Sequence, residues 1–211
     1  MIKITHKEVS PFGTNCYLVK DEATSEAALV DPGDEAEALM RFINEADVKV
    51  KYILATHCHV DHVSAASEMM KKLGLGFMAC DKDRFLLETL ADTCRMYGLR
   101  PSEPPVITRK IEDGDTLPLG KSTLRFHHAP GHSPGSMLIQ AGEEDLIVGD
   151  VLFAGSIGRT DLPGGSMETL RNSIMNVLVP LGDAMRVYPG HGPATTIGWE
   201  KENNMFILEW S

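Results

Sequence analysis

Within residues 57–62 the chain carries three imidazoles and one carboxylate, as His57-Cys58-His59-Val60-Asp61-His62. Side chains of these types hold transition-metal cations. His57 and His59 are two apart, so in an extended segment both point to one side and can grip a single cation. Asp61 is two further on, whereas His62 breaks the alternation and aims elsewhere. This spacing suits two adjacent metals better than one. Neutral imidazole together with carboxylate suits zinc, iron(II) or manganese(II). Three further donors stand far along the chain. His132 lies between two turns in Pro130-Gly131-His132-Ser133-Pro134-Gly135, Asp150 follows Gly149, and His191 lies in Pro189-Gly190-His191-Gly192-Pro193. All seven donors follow stretches that read as strands.

Elements that end in the right places must position them. Lys51-Tyr52-Ile53-Leu54-Ala55 is rich in β-branched and aromatic residues and reads as a strand, and residues 63–72 read as a helix. The first cluster therefore sits on an exposed turn between two stiff elements, where side chains converge. Upstream, residues 2–9, 16–19 and 27–30 read as strands, and the polar link over 21–26 makes the last two a hairpin. Asp31-Pro32-Gly33-Asp34 breaks the chain. Asp31 is expected as a turn former or helix-end carboxylate rather than a ligand, and Asp34 as the cap of a helix running to about Ala46. Residues 76–80 are expected as a strand and 81–97 as one helix, with Phe85, Leu86, Leu90 and Cys94 on its periodicity and Gly98 at its end. Short strands are expected at 106–111, 115–119, 124–128, 137–140, 146–148 and 186–188. Residues 156–165 read as a long loop of the kind that lines a pocket, Ser166 caps a helix to about Leu178, and a final helix follows Gly198. Strands, helices, strands and helices in that order fit two sheets packed face to face with helices outside.

At 211 residues, 43% hydrophobic and 24% charged, with no low-complexity tract, the chain is expected to form one domain over residues 1–211. The formal net charge of -10 argues against a nucleic-acid backbone or an anionic membrane as partner. It leaves room for a small anionic substrate, because metals reverse the local potential. Cys16, Cys58, Cys80 and Cys94 are spread without a C-x-x-C pair, the pattern of free thiols in a reducing compartment, so a cytoplasmic location is expected. Residues 1–8 lack the apolar core of a signal peptide, and no segment approaches transmembrane length.

His57-Cys58-His59-Val60-Asp61-His62 matches the H-x-H-x-D-H signature of the metallo-β-lactamase superfamily. Gly131-His132-Ser133-Pro134-Gly135-Ser136 resembles its second metal motif, Gly149-Asp150 its bridging aspartate, and Tyr188-Pro189-Gly190-His191-Gly192 its last histidine motif. The four motifs stand in the right order over nearly the whole chain. The resemblance implies an α/β fold of the four-layer αββα sandwich type, with metals at one edge. It also implies two divalent metal ions, zinc first, with iron or manganese as alternatives. His57, His59 and His132 would hold one metal, Asp61, His62 and His191 the other, and Asp150 would bridge both. Asp61 and Asp150 are the expected catalytic carboxylates. Cys58 lies between ligands without being a ligand of the family, and reads as a packed thiol.

Within the superfamily the chain is most similar to the short bacterial glyoxalase II-like thioesterases. That resemblance implies hydrolysis of S-D-lactoylglutathione to glutathione and D-lactate. Two metals about 3.5–4 Å apart can share a hydroxide that attacks the carbonyl carbon, and they take up the oxyanion charge. A thioester suits this chemistry, because its thiolate has a pKa near about 8.5 and needs little protonation to leave. The helical extension through which glyoxalase II binds glutathione carboxylates is expected to be absent, with Glu200-Lys201-Glu202 in the final helix. Arg159 matches the family's basic substrate-binding residue, but Thr160-Asp161 follows where the family has an aromatic. Arg159 either binds a substrate carboxylate or pairs with Asp161. The main alternative is a mononuclear iron persulfide dioxygenase, since such members carry a loop resembling Gly158-Arg159-Thr160-Asp161. A lactonase or β-lactam hydrolase also fits, because the metal chemistry alone does not separate ester, lactam and thioester. The expected partner is a small-molecule thioester, with no nucleic acid and no membrane; the oligomeric state is left open.

Overall fold

The computed structural model describes residues 1–211. The chain opens with strands β1 (Ile2–Val9), β2 (Thr14–Asp21) and β3 (Glu26–Val30), paired antiparallel in sequence. There follow helix α1 (Ala36–Glu45), β4 (Lys49–Leu54), α2 (Val60–Val63), α3 (Ala66–Leu73), β5 (Phe77–Ala79), α4 (Arg84–Glu88), α5 (Leu90–Met96) and β6 (Ile107–Lys110). The first sheet has the order β1-β2-β3-β4-β5-β6, and β3 to β6 run parallel. The second half contains β7 (Thr116–Leu119), β8 (Ser122–His128), β9 (Met137–Ala141), β10 (Asp145–Gly149), the small ribbon β11 (Leu152–Phe153) and β12 (Ser156–Ile157), and α6 (Met167–Ser173). It closes with β13 (Arg186–Pro189), β14 (Thr195–Thr196), α7 (Ile197–Asn203) and α8 (Met205–Trp210). The second sheet has the order β14-β13-β10-β9-β8-β7, with β10 and β13 parallel and the other pairs antiparallel.

The central strands β2, β3, β9 and β10 are covered on both faces, so alternate residues of each enter different cores, while β1, β7 and β8 keep one face toward solvent. In β2, Cys16 and Leu18 face the core shared with α1 and α3, while Tyr17 and Val19 face the other sheet. In β9, Met137 and Ile139 meet Val19, Val30 and Leu54 between the sheets, while Leu138 turns outward to Leu170, Ile174 and Ile207. Three apolar layers thus separate four layers of secondary structure, the expected αββα sandwich. No helix is long and apolar enough to cross a membrane.

Three local expectations are corrected. Asp34 does not cap α1. The N-cap is Glu35 at φ 55°, and the Asp34 carboxylate only accepts the Glu35 N–H at 2.7 Å. The expected helix over 81–97 is broken at Thr89 into α4 and α5. The Thr89 hydroxyl reaches the Phe85 and Leu86 carbonyls, at 3.4 and 3.3 Å, and competes there with helical N–H groups. The helix after the histidine cluster starts earlier, at Val60, and is interrupted at Ser64, whose hydroxyl donates to the Val60 carbonyl at 2.5 Å.

Candidate metal centre

The seven predicted donors lie at the carboxyl ends of β4, β8, β10 and β13, on one edge of the sandwich. His59 is extended at φ −65° and ψ 153°, and the chain then coils into α2. His57 and His59 therefore keep strand alternation, while the helical turn sends Asp61 and His62 to the next position. The two sheets are pinned together at this edge. Met137 N–H donates to the Thr56 carbonyl at 2.8 Å and Asn15 N–H to the Gly190 carbonyl at 2.7 Å. The Tyr17 hydroxyl donates to the Pro189 carbonyl at 2.6 Å, and Asn15 Nδ2 donates to the Pro189 and Gly192 carbonyls. Two glycines make room beside the donors. A Cβ on Gly190 would lie 2.1 Å from Asp150 Oδ1, and one on Gly33 would lie 1.8 Å from the Asp61 carbonyl oxygen.

Ligand atoms of His57, His59 and His132 fall within 4.8 Å of one another, as do those of Asp61, His62 and His191. Asp150 joins the two groups. Its Oδ1 is 3.4 Å from His62 Nε2, and its Oδ2 is 3.5 Å from His191 Nε2 and 3.6 Å from His132 Nε2. Hydrogen bonds on the far sides of the rings set the tautomers. His62 Nδ1 donates to the Asp31 carboxylate at 3.0 Å, His132 Nδ1 to the Arg159 carbonyl at 2.8 Å, and His191 Nδ1 to the Phe12 carbonyl at 3.1 Å. The Thr56 hydroxyl gives its hydrogen to Asp31 at 2.7 Å, so it accepts from His57 Nδ1 at 3.1 Å. Each of these four imidazoles then turns its Nε2 inward.

That arrangement fits cations. His57 Nε2 and His132 Nε2 approach to 3.2 Å with no hydrogen between them. His62 Nε2 and Asp150 Oδ1 are buried without a hydrogen-bond partner. Lone pairs and carboxylate oxygens packed together repel unless a positive centre is shared among them, and neutral imidazole with carboxylate is a donor set for divalent transition metals.

Burial, reinforced by the neighbouring rings, holds His57 well below the usual imidazole range and brings His59 to about 3; burial also lowers His132, against the opposing pull of Asp150 and the Arg159 carbonyl. These three stay neutral, as metal donors must. Burial also opposes protonation of His191, but hydrogen bonds to Asp150 and Asp61 outweigh it and lift His191 to about 10. His62 is raised for a similar reason, with the charges of Asp61 and Asp150 overcoming burial. Protons and cations therefore compete for the same Nε2 atoms. Burial works against the Asp61 carboxylate too, yet His62 and His191 bring it to about 2.

Two further carboxylates matter. Asp31 is neither a ligand nor a simple turn former; it is fully buried and orients His62 through Oδ2, while its Oδ1 accepts the Thr56 N–H at 2.7 Å. Its place at a strand end before Pro32-Gly33 is the signal that could have marked it. Asp83, equally buried, joins two donor loops by accepting from Cys58 N–H at 3.1 Å, the Ser133 hydroxyl at 2.7 Å and Gly135 N–H at 2.6 Å. Nothing in its local sequence distinguishes it from Asp81. Arg159 pairs with Asp161 through two hydrogen bonds, at 2.7 and 2.6 Å, and borders the cleft beside the donors. Cys58 is buried in the core against the first sheet. His128 pins the Pro134 carbonyl at 2.8 Å, and His127 contacts Gln140.

A sequence profile of the Metallo-beta-lactamase superfamily matches residues 9–191. The Haemophilus influenzae hydroxyacylglutathione hydrolase GloC is 40% identical over 202 residues, covering 94% of this chain and 95% of that protein. The BLEG-1 B3 metallo-beta-lactamase superposes with a TM-score of 0.89 at 35% identity, covering 97% of this chain and 99% of that one. TTHA1623, solved in a di-iron-bound form, superposes with a TM-score of 0.88 at 36% identity, covering 96% and 99%. Fold, motif order and profile agree: this chain belongs to the metallo-β-lactamase superfamily, whose fold implies divalent metal ions and metal-dependent hydrolysis.

Proposed function

We propose that the chain is a binuclear metal-dependent hydrolase of acyl thioesters, with S-D-lactoylglutathione as lead substrate. In this reading His57, His59 and His132 would hold one cation and Asp61, His62 and His191 the other, with Asp150 within reach of both groups. The observation that carries it is the inward convergence of five imidazoles and two carboxylates, with Nδ1 of His57, His62, His132 and His191 bonded away from the centre. When bound, the cations supply Lewis acidity toward the carbonyl and a nucleophile drawn from water at neutral pH. The chain's own groups hold the tautomers: Asp31, Thr56 and the carbonyls of Phe12 and Arg159. Besides the donors, the titratable side chains lining the cleft are Cys58, Tyr97 and Arg159. Burial together with Asp83 pushes the Cys58 thiol up, away from use as a proton donor near neutrality. A thiolate, with a pKa of about 8.5, can leave without a proton donor, whereas an amine cannot. GloC is named for such a reaction and supports the same direction. Arg159 is the candidate for a substrate carboxylate, in competition with Asp161. Zinc is the favoured metal, with iron next because of the di-iron relative. Four free, buried cysteines suit a reducing cytoplasm.

The test is metal content per chain after purification without added metal, followed by thiol release from S-D-lactoylglutathione with zinc, iron(II) and manganese(II). Two metals per chain and thiol release are expected. One iron per chain with thiol-dependent oxygen uptake would transfer the protein to the persulfide dioxygenases. The likeness to BLEG-1 also favours a β-lactam reading, which would prevail if a cephalosporin were opened and no thioester cleaved.

A further inference from the structure

A cleft of about 590 Å³ opens from His59, Asp61 and His191 toward α4 and α5. Its wall is apolar. Phe85 and Leu86 of α4, with Met96 and Tyr97 at the end of α5, line it, together with Leu162 and Pro163 from the loop before α6. Phe12 stands at the mouth, edge-on to Tyr97 with ring centroids 5.6 Å apart. Of the ten exposed large apolar side chains in the protein, four (Phe12, Phe85, Met96 and Tyr97) line this one cleft. Exposed apolar surface concentrated beside a reactive centre marks binding of an apolar group.

Charge argues the same way. The cleft has a single guanidinium or ammonium group, that of Arg159, and Asp161 already neutralises it at 2.6 Å. A thiol carrier bearing several carboxylates or phosphates would find no free cation there, on a chain of formal net charge -10. We infer that this cleft takes the apolar acyl chain of an acyl thioester, several carbons long or aromatic, while the polar carrier stays outside it. The inference rests on the thioesterase reading and keeps its reaction, but moves the favoured substrate away from S-D-lactoylglutathione: D-lactoyl is small and polar, and leaves most of this wall uncovered.

The probe is a series of S-acyl-N-acetylcysteamine thioesters from acetyl to octanoyl, whose carrier is small and neutral. Two readouts run in parallel on the metal-loaded enzyme: thiol release, and calorimetric binding of the matching S-alkyl thioethers, which are not hydrolysed. Each methylene entering the cleft should raise kcat/KM and thioether affinity up to about fourfold, the equivalent of about 0.8 kcal/mol, giving on the order of a hundredfold from butanoyl to octanoyl. Tyr97→Ser and, separately, Phe85→Ser should flatten that slope; both side chains are partly exposed, so the fold does not depend on them. A series flat in both readouts overturns the inference. So does a glutathione thioester that outpaces its N-acetylcysteamine counterpart tenfold at equal acyl length, because the cleft would then serve an anionic carrier. A dimer in solution that Tyr97→Ser dissociates would assign the cleft to a second copy. If the thioethers bind with the expected slope but no thioester is cleaved, the hydrolase reading falls and the apolar occupant stands.

Discussion

Replacing Asp31 with asparagine exchanges one oxygen for an amide nitrogen and leaves the shape of the side chain intact. The backbone should tolerate it, since Asp31 sits at φ 55° and asparagine is at home in that region. The wild-type carboxylate accepts three hydrogen bonds: His62 Nδ1 and the Thr56 hydroxyl on Oδ2, at 3.0 and 2.7 Å, and Thr56 N–H on Oδ1 at 2.7 Å. An amide can satisfy only part of this set. If its nitrogen faces His62, it donates to Nδ1 and forces the ring hydrogen onto Nε2, the atom aimed at Asp61 and Asp150. If it faces Thr56 N–H, two donors collide and that bond is lost. Either way one charge-assisted bond, worth about 1.5–3 kcal/mol, disappears. The expected consequence is a 10- to 100-fold loss of metal affinity, the usual effect of removing a group that orients a histidine ligand. Competition with a chromophoric chelator measures the affinity, and nitrogen NMR of the imidazoles reports the His62 tautomer. Affinity within about twofold of the parent, with His62 still protonated on Nδ1, would refute the orienting role of Asp31.

Three other outcomes are expected. Because His191 is lifted from 6.5 to about 10 in the metal-free fold, its contribution to stability is complete below the unfolded value and is lost as pH rises toward 10. Urea unfolding should show metal-free protein weakening over that window while metal-loaded protein does not; metal-free stability that rises with pH would contradict it. Asp83→Ala strands the donors of Cys58, Ser133 and Gly135, so the loaded protein should lose about 3 kcal/mol in the same assay, and a loss below about 1 kcal/mol would mean the two loops are held together by other contacts. Asp150→Ala should lower metal content at both positions, measured by elemental analysis, because Asp150 contacts donors of both groups; one cation fully retained would confine Asp150 to a single position.

Much of this molecule is legible in its sequence because the relevant physics is local. Strand alternation puts His57 and His59 on one side whatever lies above them, and the same period sorts Tyr17 and Val19 from Cys16 and Leu18 into two cores. Turns rich in glycine and proline mark where His132, Asp150 and His191 leave their strands. Four such motifs in order announce both the sandwich and its donor edge. Some local signals mislead because a competing hydrogen bond wins. Thr89 interrupts a helix that its neighbours' periodicity would continue, and residues from both resulting helices line the cleft.

Only the tertiary structure shows that Asp31 orients a donor ring, or separates Asp83 from Asp81. Asp31 and Asp83 are buried against distant backbone, whereas Asp34 and Asp81 are not. It likewise decides which nitrogen of each imidazole keeps its hydrogen, through partners as remote in sequence as the Phe12 carbonyl for His191. The physical reason is that side-chain type and periodicity are properties of the chain alone. Desolvation and hydrogen-bond direction depend on which segments are packed opposite, and those are settled only when the two sheets close.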